Sequence, residues 1–217
     1  MRITINLQQQ IGLLLVGLFS IVNVTLFAQT NSSMNKFNYE EAWKKITALE
    51  SQGLPESELK EINLVYEQAK LEKNDGQLIK AILFQMKLTD YKEENAFVQN
   101  LNKIKKEAQQ ATFPAKNLLH SMLAELSWQY YQNNRWKFNN RTEITNPNEN
   151  DIETWSLEKI VQETIVNYQA SLTDKEKLQT VSISKYDEIL YKGNETGRLI
   201  RPTLYDFLVN RAIDFYI

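Results

Sequence analysis

The chain has 217 residues, 42% hydrophobic and 24% charged, enough for one globular domain or two small ones. Its formal net charge of -2 argues against a phosphate-backbone partner, which calls for a basic excess. With no cysteine and one histidine, His120, the chain by itself forms no disulfide, thiolate metal site or cysteine nucleophile, and no cofactor is expected.

Residues 1–28 stand apart. Arg2 and the amino terminus give a weakly positive start, followed by the apolar run "IGLLLVGLFSIVNVTLFAQ". This pattern predicts a secretory signal peptide cut between Ala28 and Gln29. An uncleaved anchor is the competing reading. The run from Ile11 to Ala28 would span roughly 27 Å as a helix, short for a bilayer, and Asn23 lies inside it. Either way the remainder is expected to be exported to the cell envelope. Membrane contact would come only through this segment. Residues 29–36 read as a polar spacer.

From residue 37 the pattern turns helical. Tyr39, Ala42, Trp43, Ile46 and Leu49 recur at steps of three and four and make one face. Gly53 and Pro55 mark a helix end and the next start. The second helix, about 55 to 73, carries Leu59, Ile62, Val65, Tyr66, Ala69 and Leu71. A turn at Asn74 to Gly76 precedes a third helix with Leu78, Ile79, Ile82, Leu83, Met86 and Leu88. A fourth, about 93 to 110, carries Phe97, Val98, Leu101, Ile104 and Ala108, and its "KIKKEAQQ" run reads as a solvated face. Phe113-Pro114 opens a fifth helix with Leu118, Leu119, Met122, Leu123, Leu126, Trp128 and Tyr130. It is the most apolar helix after residue 36 and is expected at the centre of the core.

Residues 133–151 are rich in asparagine and read as a long loop, tied down by Trp136 and Phe138. A sixth helix begins near Asp151 or Ser156, with Thr154 or Ser156 as cap and Leu157, Ile160, Val161, Ile165 and Tyr168 on its face. Short helices follow at about 174–179 and 184–191, "KGNETGR" reads as a turn, and Pro202 is placed at the first position of a last helix. The predicted fold is all-α, an array of antiparallel helix pairs, solenoid-like and tetratricopeptide-like, because about 34 to 40 residues per pair match that repeat. The segments are thus 1–28, 29–36, a helical-repeat region 37–132, the loop 133–151 and a second helical part 152–217.

No glycine-rich phosphate loop, nucleophile elbow or paired metal-ligand histidines occur. His120 sits mid-helix, and Lys116, Leu123 and Ala124 on its face offer no ligand. It reads as a partly buried structural histidine. The pairs Glu40-Glu41 and Glu93-Glu94 are sequence neighbours, which diverge on a helix and do not converge as acid and base. The densest aromatic group is Trp128, Tyr130, Tyr131, Trp136 and Phe138. With Arg135, Lys137 and Arg141 nearby, Trp128, Tyr131, Arg135, Trp136 and Phe138 form a candidate binding cluster for a base or sugar. The plainer reading is that they pack the 133–151 loop on the fifth helix. Asn140-Arg-Thr and Asn194-Glu-Thr match glycosylation acceptors, a weak signal.

The last stretch, "RPTLYDFLVNRAIDFYI", carries a narrow polar stripe of Asp206, Asn210 and Asp214. Leu204, Phe207, Leu208, Ala212 and Phe215, with Tyr205, Val209, Ile213 and Tyr216, give it a wide apolar surface. A helix so apolar is expected to be covered on more than one side, so further protein is expected to follow and cover it.

Four blocks resemble a known family: "YEEAWKKITALESQGLPESELKEI", "KNDGQLIKAILFQMKL", "FPAKNLLHSMLAELSWQYYQNNRWKFNNRTE" and "LIRPTLYDFLVNRAIDFY". They look like the N-terminal region of large bacterial alpha-2-macroglobulin-like proteins, in order, from about Phe37 onward. The resemblance implies a helical region ahead of macroglobulin β-sandwich domains, within an exported broad-spectrum endopeptidase inhibitor that traps proteases after bait cleavage. Some members attach the protease through a cysteine–glutamine thioester. This chain has no cysteine, so thioester and bait regions would lie elsewhere. The resemblance implies a non-catalytic scaffold or adaptor, partnered by downstream macroglobulin domains and only indirectly by target proteases. A self-standing helical-repeat module of the envelope that binds a peptide or protein in a groove is the alternative. An envelope hydrolase acting through carboxylates such as Glu125 and Asp151 and the aromatic cluster is a third reading, without a substrate.

Overall fold

A computed structural model describes residues 37–138, 147–190 and 195–217. The expected cleavage point at Ala28 and Gln29, and both glycosylation motifs at Asn140 and Asn194, lie outside the described residues. Those residues are all-helical. The helices are α1 (Tyr39–Ser51), α2 (Pro55–Glu72), α3 (Asp75–Lys92), α4 (Ala96–Gln110), α5 (Ala115–Asn133), α6 (Arg135–Phe138), α7 (Leu157–Ser171), α8 (Lys175–Leu178), α9 (Glu195–Ile200) and α10 (Leu204–Tyr216). Short 3-10 turns at Ile152–Thr154 and Ile183–Tyr186 complete the set.

Local chemistry sets the boundaries of the first helices. Gly53 has φ +65, and the Gly53 and Leu54 amides donate to the Glu50 and Leu49 carbonyls, closing α1 with a left-handed residue that glycine adopts at little cost. Pro55 then occupies the first turn of α2, where its missing N–H is no loss. Lys73 takes the left-handed role at the end of α2. Asn74 caps α3, its side chain accepting from the Gln77 amide at 3.3 Å. Gly76 answers a different need. A Cβ there would lie 3.2 Å from the Lys185 carbonyl oxygen, so its bare Cα lets the 183–186 turn approach.

Each helix from α1 to α5 packs on the next in sequence, and α5 also receives α7 and α10. The expected central position of the fifth helix is thus the observed one. Its Leu118, Leu119 and Leu123 join Ile79, Ile82, Leu101, Ile104, Ile152, Ile160 and Leu204 in one core cluster. Burying each such side chain contributes about 1.5–3 kcal/mol.

Several expectations are corrected. On α2, Leu71 is 78% exposed while Glu58 is 3% exposed, because the face that meets α1 and α3 runs through Glu58, Ile62, Val65 and Ala69. The segment expected as a helix at 184–191 is instead the 3-10 turn Ile183–Tyr186. Pro202 precedes the last helix and does not start it. Its carbonyl accepts from the Ile183 amide, the Leu204 amide donates to Val181, and Ser182 bridges Thr203. The cap is Thr203, which with Asp206 forms a capping box. "KGNETGR" is not simply a turn. Glu195 to Ile200 is helical, and Arg198 pairs with Asp187 at 2.7 Å, a tertiary tie that periodicity does not reveal.

Ser156 is the cap of α7, accepting from the Lys159 amide at 3.1 Å. In the asparagine-rich stretch, Arg135–Phe138 is a short helix. Its far end is fastened down by Asn148, whose carbonyl accepts from the Trp155 indole at 2.8 Å, and by Asn150, whose carbonyl accepts from Asn102 at 2.6 Å.

Candidate functional site

The aromatic cluster does not converge on one binding face. Trp128 stacks near Tyr131, with centroids 5.1 Å apart, and meets Phe215 of α10 edge-on at 4.9 Å. Phe138 turns back onto Tyr130 and Tyr131 at 6.4 and 5.5 Å. Arg135 lies 5.7 Å over the Tyr131 ring. Trp136 points the other way and is 69% exposed, with Lys137 over its ring. Trp128, Tyr131 and Phe138 therefore pack α6 and α10 onto the end of α5, and Arg135 and Trp136 are exposed.

The two carboxylates named for a hydrolase have structural partners. Asp151 accepts from the Glu153 amide at 3.0 Å and caps its own turn. Glu125 accepts from the Tyr168 hydroxyl at 3.0 Å and from Gln129 at 2.8 Å, and lies 3.6 Å from Arg211. Among the described residues, no group of three or more His, Asp or Glu side chains is placed to hold a metal ion.

Among the described residues, three concavities bear on function. The first, about 620 Å³, lies between α1 and α3 against Glu188. Its base is Trp43, whose indole donates to Gln77 at 2.5 Å and whose ring carries Lys80 at 4.3 Å, so the aromatic face is already occupied. The second, about 280 Å³, is an apolar cleft between α3, α5 and α10, with Met86, Leu118, Met122 and Phe207 in its wall. Arg211 closes its rim by donating to Ser121 at 2.9 Å.

The third pocket, about 430 Å³, opens between α4, α5 and α7. It was not found from sequence, although its signal was present. Lys116, His120, Leu123 and Ser127 are spaced i, i+4, i+7 and i+11, one stripe of α5. Antiparallel packing brings Asn167 of α7 to His120, with Nδ1 and Oδ1 2.8 Å apart. Asn167 donates its amide nitrogen to the Glu163 carbonyl at 2.9 Å. Its oxygen therefore faces the ring and accepts, so His120 carries its proton on Nδ1. In the neutral ring, Nε2 is left as an acceptor. Lys105, Lys116 and Glu163 stand at this pocket, and Leu101, Leu123 and Trp155 supply its apolar wall. The structural role expected of His120 is the one it has, joining α5 to α7, and it also faces a pocket.

Burial shifts several ionisable groups. Desolvation first, then the Glu50 charge, raises the Glu58 carboxyl above the usual range. Desolvation lowers the Lys103 ammonium, which lies 5.8 Å over Tyr66. The "KIKKEAQQ" face is thus not wholly solvated. The Tyr66, Tyr168 and Tyr186 hydroxyls are pushed well above the usual tyrosine range, by burial and by the carboxylates Glu107, Glu125 and Asp75. No protein family, no curated protein and no solved structure matches this chain. No described helix is long and apolar enough to cross a membrane.

Proposed function

We propose that the chain is a non-catalytic helical scaffold, exported to the cell envelope, that forms the N-terminal region of an alpha-2-macroglobulin-like peptidase inhibitor. Residues 1–28 act as its signal peptide. The helix pairs α1–α2 and α3–α4 are read as a solenoid-like array of tetratricopeptide type, since each helix packs on its sequence neighbour. Downstream macroglobulin domains are its partners, and proteases meet it only through them.

The observation that carries this reading is the half-covered last helix. α10 buries Leu204, Leu208 and Ala212 against the body, yet leaves Ile213 46% and Tyr216 58% exposed, with Leu199 and Ile200 of α9 at 81% and 70%. Such exposed apolar side chains on consecutive helices favour protein contact. The order of the four sequence blocks supplies the family. The isolated helical region inhibits no protease in this reading.

The test is the mass of the native protein in its own cells, by immunoblot with an antibody against residues 37–217. A band far above 25.4 kDa is expected. A single band at or slightly below that mass would overturn the inhibitor assignment and leave the self-standing binding module.

A further inference from the structure

We propose that the pocket between α4, α5 and α7 binds a small apolar zwitterion, an amino acid or short peptide with a free ammonium, a free carboxylate and an aliphatic side chain. This goes beyond the scaffold reading and does not depend on it. The pocket's volume, about 430 Å³, falls in the range of small-ligand sites.

Its charges are arranged for both ends of such a ligand. Lys116 has no acidic partner among the described residues. Lys105 donates to the Glu149 backbone carbonyl at 3.3 Å and lies in the field of the Glu149 carboxylate. Lys116 is therefore the ammonium left for a ligand carboxylate. Glu163 also forms no ion pair among the described residues. His120 lines the same pocket, and in its neutral form the ring nitrogen not bound to Asn167 can accept. A carboxylate and an imidazole lone pair suit an ammonium, which only donates.

The stripe on α5 then sets a direction. Lys116 and His120 occupy its N-terminal part and Leu123 follows, facing Leu101 and Trp155 across the pocket. Asn167 opposes His120 and Asn117 reaches Ser171, so Glu163, one turn before Asn167, lies on the Leu123 side of His120. The carboxylate of the ligand therefore sits toward Lys116 and its ammonium toward Glu163, with the side chain against Leu101, Leu123 and Trp155. Beyond Leu123, Ser127 is 3% exposed, and its hydroxyl has no hydrogen bond among the described residues. Ser127 lines the pocket, and its hydroxyl can donate or accept there. A peptide group of a longer ligand would satisfy it.

The experiment is calorimetric titration of the full 217-residue chain with L-leucine and L-leucyl-L-leucine, alongside their N-acetyl and C-terminal amide derivatives. At least one free zwitterion should bind saturably at millimolar concentration or better. Blocking either terminus should weaken it by about tenfold or more. Tighter dipeptide binding would assign the longer ligand, tighter leucine binding the free amino acid. Glu163→Gln should erase the preference for a free amine, and Lys116→Gln the preference for a free carboxylate, each with an unchanged circular dichroism spectrum. No saturable heat from either zwitterion, or equal binding of blocked and free forms, would overturn the proposal. So would full binding by both variants.

Discussion

Glu58 is the residue at which burial and charge conflict most plainly. It is 3% exposed, and its Oε1 has no hydrogen-bond partner. Ionising a buried carboxyl without partners is unfavourable, so its folded-state titration lies above the unfolded one. Such a group contributes its stability fully below the unfolded carboxyl value and loses it as pH rises through the folded value. Glu58→Gln should therefore stabilise the protein at neutral pH, with the gain shrinking toward pH 4. Urea unfolding of both proteins at the two pH values checks this, and an equal gain at both would refute the burial argument. The raised tyrosines act at the other end of the scale. Tyr66, Tyr168 and Tyr186 favour the folded state below the unfolded tyrosine range, and this support is lost as pH climbs through their folded values. Alkaline spectrophotometric titration should show delayed ionisation of these hydroxyls in the folded protein.

At the scale of the element, α5 and α10 make different demands. Leu119 of α5 is 0% exposed within the main cluster. Leu119→Ala should cost about 2–5 kcal/mol, since the surrounding helices can only partly close the cavity. A loss under about 1 kcal/mol in chemical denaturation would mean that α5 is not the centre. The last helix depends instead on its start. Thr203 accepts from the Asp206 amide at 3.3 Å, and Asp206 accepts from the Thr203 amide at 3.0 Å. Thr203→Ala should cost about 0.5–2 kcal/mol, read by the same denaturation. The core of both helices was legible in the sequence because apolar residues at steps of three and four leave little choice of face. The cap was misread because Pro202 is an equally good opening signal. The decision came from Ile183 and Val181, whose backbone groups pair with Pro202 and Leu204. No local pattern encodes that pairing.

Over the whole described body, contacts far apart in sequence tie the C-terminal part to the first helix pairs. Asp75, 8% exposed, pairs with Lys185 and lies 3.4 Å from the Tyr186 hydroxyl. Lys80 and Gln77 of the same helix hold Glu188 at 2.9 and 3.2 Å. Removing Lys185 leaves a buried carboxylate with only a long contact to tyrosine. Lys185→Met should thus cost about 1–3 kcal/mol. Lys44→Met, at a pair exposed on both sides, should stay within about ±0.5 kcal/mol. Equal effects in thermal or urea unfolding would show that the Asp75 junction is no stronger than a surface pair.

The sequence by itself determined the class of fold. Scarce glycine and proline, regular apolar spacing and the Gly53–Pro55 and Asn74 signals define the first five helices within a few residues, because those effects act within one turn of the chain. It also marked α5 as central, since only a helix surrounded by others can hide so many leucines. Only the tertiary structure decided which charged and aromatic residues meet. It packed Trp128 and Phe138 on Tyr131 but left Trp136, close to them in sequence, exposed. It gathered Lys105, Lys116, His120 and Glu163 from three helices into one pocket. The reason is physical: helix periodicity is written in the chain, whereas the register of one helix against another is set by the packing of whole side-chain surfaces.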